Sequence, residues 1–341
     1  MTALEMYRRV GRRGLAAAVA TLVVLAVVAA TPQLLGSQVA RAIAALTAAD
    51  PRWLWLAAVG FLASVLAAAG SWRSAIGLCG GRLGPCDAAA RYGAGSFVNT
   101  FVPARAGDAV RFGLFARALD GEERLLRTGG AFAALGAARA VVLAALVVAG
   151  AAVGALPLWP VLALSAVAAG GVVLALVARR ETPRRAARLL DAFRALGREP
   201  RAAARLVGWL ALSVAARVVA ATAIGAALGI GSPLTAALVI VPALEVAGAL
   251  PLTPGNIGIT SGAVAVAFET HGISFAHGLA AGIAFHAVET AVGIAFGLGS
   301  LIWLAPYPSP GVRRIALLAA GASASLSVAG ALSATVLIPL V

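Results

Sequence analysis

The chain has no lysine, and only two cysteines, two methionines and three histidines stand among its 341 residues. Aromatic side chains make up 6% and charged ones 12%, about half the charged share of a soluble domain. Each shortage excludes something. Cys79 and Cys86 alone build neither a disulfide scaffold nor a Cys-only zinc site, and two unpaired thiols facing a reducing compartment are expected. So little charge excludes a water-soluble enzyme and a disordered tail. Acidic residues are short as well: 13 against 27 basic ones, every one of them arginine, for a net charge of +14 and a pI near 11.6. In a soluble chain that excess points to nucleic acid. No nucleic-acid partner is expected here, because the arginines cluster between apolar runs as the positive-inside rule requires.

What is abundant is Ala, Leu, Val and Gly, giving 61% hydrophobic residues and a mean hydropathy of +0.96. Small apolar residues suit closely packed membrane helices. Seven runs are long enough to cross a ~30 Å hydrocarbon core: 15–35, 53–70, 128–150, 158–178, 206–228, 277–304 and 315–338. Arg8, Arg9, Arg12 and Arg13 put the start of the first run inside, and its length favours an uncleaved helix over a signal peptide. The stretch 179–205 holds nine arginines, with Ala187, Leu190, Phe193 and Leu196 at helical spacing. It reads as a cytoplasmic loop with an amphipathic helix resting on anionic lipid. The uncharged connections 151–157 and 229–233 read as external.

Parity then constrains the rest. Segments 71–127 and 229–276 must each begin and end on one side, yet each holds two apolar stretches divided by a Pro/Gly break. The breaks are Phe101-Val102-Pro103-Ala104-Arg105-Ala106-Gly107-Asp108 and, within 250–258, Pro251-Leu252-Thr253-Pro254-Gly255-Asn256-Ile257-Gly258. Two re-entrant hairpins from opposite faces satisfy parity, as do two full spans in each segment. The hairpins are the economical reading, since broken apolar segments at corresponding places in two halves point to inverted repeats. The expected fold is a single all-α polytopic membrane domain over 1–341. It comprises a first half (1–178, break at 101–108), the cytoplasmic arginine loop 179–205, and a second half (206–341, break at 250–258). About seven full spans and two opposed hairpins are expected, with the N-terminus cytoplasmic and the C-terminus outside.

No catalytic constellation, metal-ligand spacing or cofactor motif is present, so an enzyme is not expected. The chemistry lies in charges inside apolar runs: Arg139, Arg217, Glu245 and Glu289. A charge at mid-bilayer costs about 2.5–3.5 kcal/mol on insertion scales and faces a partner or a wet cavity. Either the two arginines pair with the two glutamates as ties between helices, or they serve a ligand. His286 and Glu289 share a helix face and read as a hydrogen-bonded pair. Arg105, Asp108 and Arg111 flank the first break. Asp108 is placed to cap a helix over 109–119, and Thr253 with Pro254 to cap and open another. A helix N-terminus beside arginine is an anion site, and the expected ligand is a phosphate-bearing lipid or another anion. Gly150/Gly154, Gly225/Gly229 and Gly293/Gly297 offer close-packing sites at four-residue spacing.

The pattern Asn99-x-x-x-Pro103-x-Arg105-x-Gly107-Asp108-x-x-Arg111, followed by Leu250-Pro251-Leu252-Thr253-Pro254-Gly255-Asn256-Ile257-Gly258, resembles the lysylphosphatidylglycerol synthase transmembrane-domain family, also called flippase-like. The resemblance covers roughly 15–304. It implies movement of an anionic or polyprenyl-phosphate-linked lipid between leaflets of a bacterial cytoplasmic membrane. It also implies a substrate site at Asn99, Pro103, Arg105, Gly107, Asp108 and Arg111 with Thr253, Pro254, Gly255, Asn256 and Gly258. The chain departs from the family at Asn256, where a second glycine is usual, and at Thr260 and Ser261, where a glutamate often stands. The length leaves no room for the aminoacyltransferase domain of some relatives, so aminoacyl-lipid synthesis is not expected. The rival functions are a non-transporting partner of a lipid-modifying glycosyltransferase and a small-anion carrier.

Overall fold

Among the described residues, proline opens two of the four membrane-length helices, at Pro51 and Pro200, because its missing N–H costs nothing in a first turn. The computed structural model describes residues 44–101, 106–121, 123–156, 198–248, 257–269 and 272–305. The expected spans at 15–35, 158–178 and 315–338 and the surface helix within 179–197 lie outside them. The described residues form helices α1 (Pro51–Leu78), α2 (Pro85–Phe101), α3 (Ala106–Ala116), α4 (Arg124–Ala152), α5 (Pro200–Ala227), α6 (Pro233–Gly248), α7 (Ile257–Glu269) and α8 (Phe275–Leu304), with no strand among them. The protein is an all-α membrane protein. Helices α1, α4, α5 and α8, of 28 to 30 residues, are long and apolar enough to cross a bilayer. At ~1.5 Å per residue they reach roughly 42–45 Å, while the 11 to 17 residues of α2, α3, α6 and α7 reach about 16–26 Å, short of the ~30 Å core.

Several expected boundaries move. α1 runs past residue 70 to Leu78, so the first described span is longer than its apolar run. α5 starts at Pro200, which puts Arg201 and Arg205 on its opening turns and not in a loop. The breaks narrow too: Ala106, Gly107 and Asp108 already belong to α3, and Ile257 and Gly258 to α7.

The order long, short, short, long occurs twice, α1–α4 and α5–α8. Pro51 and Pro200 open α1 and α5, 149 positions apart, and Pro85 and Pro233 open α2 and α6, 148 apart. The turns repeat as well. Gly80 (φ +82°) and Gly229 (φ +68°) follow the first long helix of each half, and Gly121 (φ +95°) and Gly272 (φ +72°) precede the second. Left-handed backbone of this kind is where glycine carries no Cβ penalty. Exchanging the halves turns the packing onto itself: α2 rests on α8 as α6 rests on α4, α3 on α4 as α7 on α8, and α1 on α8 as α5 on α4.

The pair at the centre, α1 and α5, shows the sense of this relation. Asp50 N–H donates to Ala227 O at 3.0 Å, Gly60 lies against Ala216 and Ala220, and Gly70 against Trp209, so the two helices run antiparallel. Equivalent helices that run oppositely belong to halves of inverted topology. Midway, Ser64 and Ser213, themselves 149 positions apart, join hydroxyl to hydroxyl at 3.0 Å, and Ser213 Oγ also reaches Ser64 O. The twofold relation passes through that contact.

Charge divides the ends of the bundle. Arg73, Arg82, Arg91, Arg117, Arg124, Arg127, Arg201 and Arg205 lie where α1 and α3 finish and α2, α4 and α5 begin. These ends meet directly, as Arg127 donates to Cys79 O, Arg91 to Leu114 O and Arg73 Nε to Leu83 O at 2.8 Å. Among the described residues the opposite end carries Arg52, with the exposed Trp53 and Trp55 beside it.

The third expected glycine pair does pack helices, and unevenly. A Cβ on Gly297 would meet Phe97 Cβ at 2.5 Å, whereas one on Gly293 would sit 3.8 Å from Thr100 Oγ1. Gly297→Ala is therefore expected to destabilise by about 1–3 kcal/mol through overpacking, and Gly293→Ala to be neutral. Thermal unfolding of the purified protein in detergent compares them directly; equal melting temperatures would refute the α2–α8 crossing.

Candidate functional site

Two polar clusters occupy the described helices, the first on the α2–α3 hairpin. Tyr92, Ser96 and Asn99 fall at i, i+4 and i+7, one face of α2. Asn99 Oδ1 accepts the Gly107 N–H at 2.7 Å, satisfying a donor of the first turn of α3. Asp108 was expected to cap a helix starting at 109. It sits inside the first turn of α3 instead, because Asn99 reaches across the break and caps from outside. The Asp108 carboxylate accepts Arg111 Nη1 at 2.8 Å and Asn99 Nδ2 at 3.2 Å. Arg111 Nη2 donates to Ser96 Oγ at 3.0 Å, and its guanidinium lies 3.9 Å over the Tyr92 ring. Such close approach needs bare backbone, since a Cβ on Gly107 would overlap the Gly95 carbonyl.

Arg111 is only 9% exposed, with both terminal nitrogens engaged by the protein. Its part in the hairpin is to lock α3 onto α2. The motif thus brings Asn99, Gly107, Asp108 and Arg111 together; Pro103 and Arg105 lie outside the described residues. Tyr92 and Ser96 are members that sequence reasoning missed. The signal was there: three polar residues at helical spacing on one face of α2, close in sequence to an arginine that needs partners.

The second cluster links four helices. Arg139 on α4 pairs with Glu245 on α6 (Nη2–Oε1, 2.7 Å), and Arg217 on α5 with Glu289 on α8 (Nη1–Oε1, 2.7 Å). Arg217 Nε lies 3.7 Å from Glu245 Oε1, joining the two pairs, and His286 Nδ1 lies 3.8 Å from Glu289 Oε2. The Phe285 ring approaches the Arg217 guanidinium at 5.4 Å and meets Phe61 edge-on at 4.6 Å. Of the two readings the sequence leaves open, the geometry shows ties between helices: the short partner of Arg217 is Glu289, and Glu245 is shared between Arg139 and Arg217.

Arg139 and Glu289 stand at the middle of α4 and α8, so the chain of charges lies at mid-height of the spans. Glu245 precedes the end of α6 by three residues, and the α2–α8 register sets Glu289 at the level where α2 ends. The charges therefore sit between the two breaks. They do not close off entirely, since the side chains of Arg139 and Glu289 stay 38% and 31% exposed. Gly258 lies in the first turn of α7; Thr253, Pro254, Gly255 and Asn256 lie outside the described residues.

A buried pair broken from one side loses about 3–5 kcal/mol, whereas removing both members is close to neutral. Arg217→Leu and Glu289→Leu are each expected to lower the melting temperature, and the double variant to recover part of the loss. The mismatched double Arg139→Leu/Glu289→Leu is expected to recover none, and equal recovery in both would show that the pairs drawn here are not the interacting ones.

A search of curated proteins returns no match to this chain. The profile of the family described as lysylphosphatidylglycerol synthase TM region matches residues 15–297, a span that holds α1 to α7, nearly all of α8 and both polar clusters. The chain belongs to the lysylphosphatidylglycerol synthase transmembrane-region family.

Proposed function

We propose that the protein moves a lipid with a phosphate-bearing headgroup between the leaflets of a bacterial cytoplasmic membrane and does not alter it chemically. The observation that carries this reading is the part-exposed chain of charges at mid-height between two helix breaks. A charge exposed at that depth faces water or a polar guest, because hydrocarbon would cost about 2.5–3.5 kcal/mol for each. A headgroup crossing the bilayer needs such a polar step. The inverted halves support the reading further, since apolar segments interrupted by Pro and Gly at corresponding places in two inverted halves point to a transporter's binding site.

Within the first motif the two arginines divide the work. Arg111 positions α3, its terminal nitrogens already held by Asp108 and Ser96. Headgroup contact falls to Arg105, which the sequence places in the break itself, four residues after Phe101. The arginine-rich end faces the cytoplasm under the positive-inside rule, which puts the N-terminus inside.

Leaflet redistribution of labelled phosphatidylglycerol in proteoliposomes tests this. Wild type is expected to accelerate exchange over protein-free vesicles, and Arg105→Ala to slow it at least tenfold, as loss of a charge-assisted bond of ~1.5–3 kcal/mol dictates. Arg105→Lys is expected to lose most of the rate, since an ammonium cannot form the bidentate contact. The triple loop variant Arg184→Gln/Arg185→Gln/Arg188→Gln is expected to retain it. Wild type without exchange activity would favour the scaffold function, and a failing loop variant beside an active Arg105→Ala would move the site to the loop.

The native thiols test orientation. Cys86 is exposed and Cys79 half-buried at the arginine-rich end. Burial pushes the Cys79 thiol above its ordinary value, against a smaller opposing pull from Arg127. Thiolate is the reactive form, so an impermeant maleimide is expected to label Cys86 first, only from the cytoplasmic face, and Cys79 only as pH rises. Labelling of Cys86 from outside would invert the topology.

A further inference from the structure

We infer that the junction of α3 and α4 holds an anionic phospholipid of the cytoplasmic leaflet, at a site separate from the path of translocation. A cavity of about 320 Å³ opens there, lined by Val110, Gly113, Leu114, Arg117, Arg124 and Leu125 among others. That volume lies at the low end for small-molecule sites, enough for one headgroup and the start of its chains. The lining divides by chemistry. Val110 and Leu125 are exposed at 39% and 57%, an apolar wall suited to acyl chains, and the two guanidinium groups supply the polar end.

Charge is what selects the guest. Among the described residues neither Arg117 nor Arg124 makes an ion pair, although Arg111, Arg139 and Arg217 all do. Arg91 stays outside the lining, donating to the carbonyl of Leu114 from behind and attracted by Asp87 more than it is repelled by Arg117. The sequence between the two arginines carries Asp120, Glu122 and Glu123, but no acidic side chain among the described residues lines the cavity, so the guanidinium groups are the charges a guest there meets. Two guanidinium groups without an ion pair among the described residues, at the edge of an apolar recess, fit a headgroup carrying a phosphate whose chains stay in the bilayer. The lining runs along α3 from Ala109 to Arg117 and onto the first residues of α4, and it includes none of the four mid-height charges.

The test is lipid binding by the full chain in nanodiscs, read by native mass spectrometry as molecules of phosphatidylglycerol or phosphatidylcholine retained. Wild type is expected to retain phosphatidylglycerol over phosphatidylcholine. Arg117→Gln/Arg124→Gln is expected to lower phosphatidylglycerol affinity at least tenfold. Arg82→Gln/Arg201→Gln, the same charge change at the same end of the bundle, is expected to leave it unchanged. Gly113→Leu keeps both arginines but fills a position with open space around it, and is expected to lower retention as well. Millimolar inorganic phosphate is expected not to displace the lipid, since it lacks the chains. Wild-type retention by the double variant, equal loss in the control pair, or displacement by phosphate would each overturn the proposal. Because the readout is binding and not leaflet exchange, failure here and failure of the transport reading are separately visible.

Discussion

Four charges that cannot be left in hydrocarbon hold the middle of this protein together. Arg139, Arg217, Glu245 and Glu289 come from four different helices, and each finds an opposite charge within 4 Å. The chain sums to zero, so the interior carries no net charge while still presenting polar surface at its two open ends. This dictates placement: α4, α5, α6 and α8 must bring their mid-height residues to one point, and the hairpins are left to fill the space beside it. A fully apolar replacement of similar volume would hold the helices as well or better. What it would not give is a polar, part-open level at mid-bilayer, which is why the charges are read as functional and structural at once.

The second constraint is close approach. α1 and α5 meet through Ala57, Gly60, Ser64, Ala216 and Ala220, side chains too small to hold the backbones apart. In lipid there is no gain from hiding one apolar surface against another, so association rests on dispersion and on the few polar contacts available. Ser64 and Ser213 supply such a contact at the centre of the inverted pair. Glycine plays the same part on the hairpin, where Gly95 and Gly107 let α3 approach α2 closely enough for Asn99 to cap it.

Much of this was legible in the sequence. Length and apolarity gave α1, α4, α5 and α8; parity and the two Pro/Gly breaks gave the paired short helices between them. The cost of charge at depth left ties between helices or a ligand site as the two readings, and which arginine meets which glutamate required coordinates. The cap of α3 was not legible. Asp108 and Asn99 are both good caps, and the choice depends on how far α2 and α3 close across the break, which local sequence does not encode. Arg111 was likewise read as open to a ligand, because the ring of Tyr92 and the hydroxyl of Ser96 come from a helix twelve or more residues away. Proline opens α1 and α5, and at Pro200 it starts α5 in polar sequence ahead of its apolar run, whereas no proline marks where α1 ends or α4 begins.

The repeat and the charges follow different rules. Equivalent positions in the two halves share turns, helix lengths and packing partners, yet Arg217 corresponds to Ala68, Glu245 to Phe97, Glu289 to Ala138 and Arg139 to Thr290. The first-motif residues Asp108 and Arg111 correspond to Ile259 and Gly262. An inverted frame with identical halves would offer two arrangements of equal energy, one the inverse of the other. Charges placed in one copy only remove that equality. The α2–α3 hairpin, at the arginine-rich end, carries Asp87, Arg91, Asp108 and Arg111; the described parts of α6 and α7 carry Glu245 and Glu269 and no arginine. The two approaches to the mid-height charges are therefore alike in shape and unlike in chemistry.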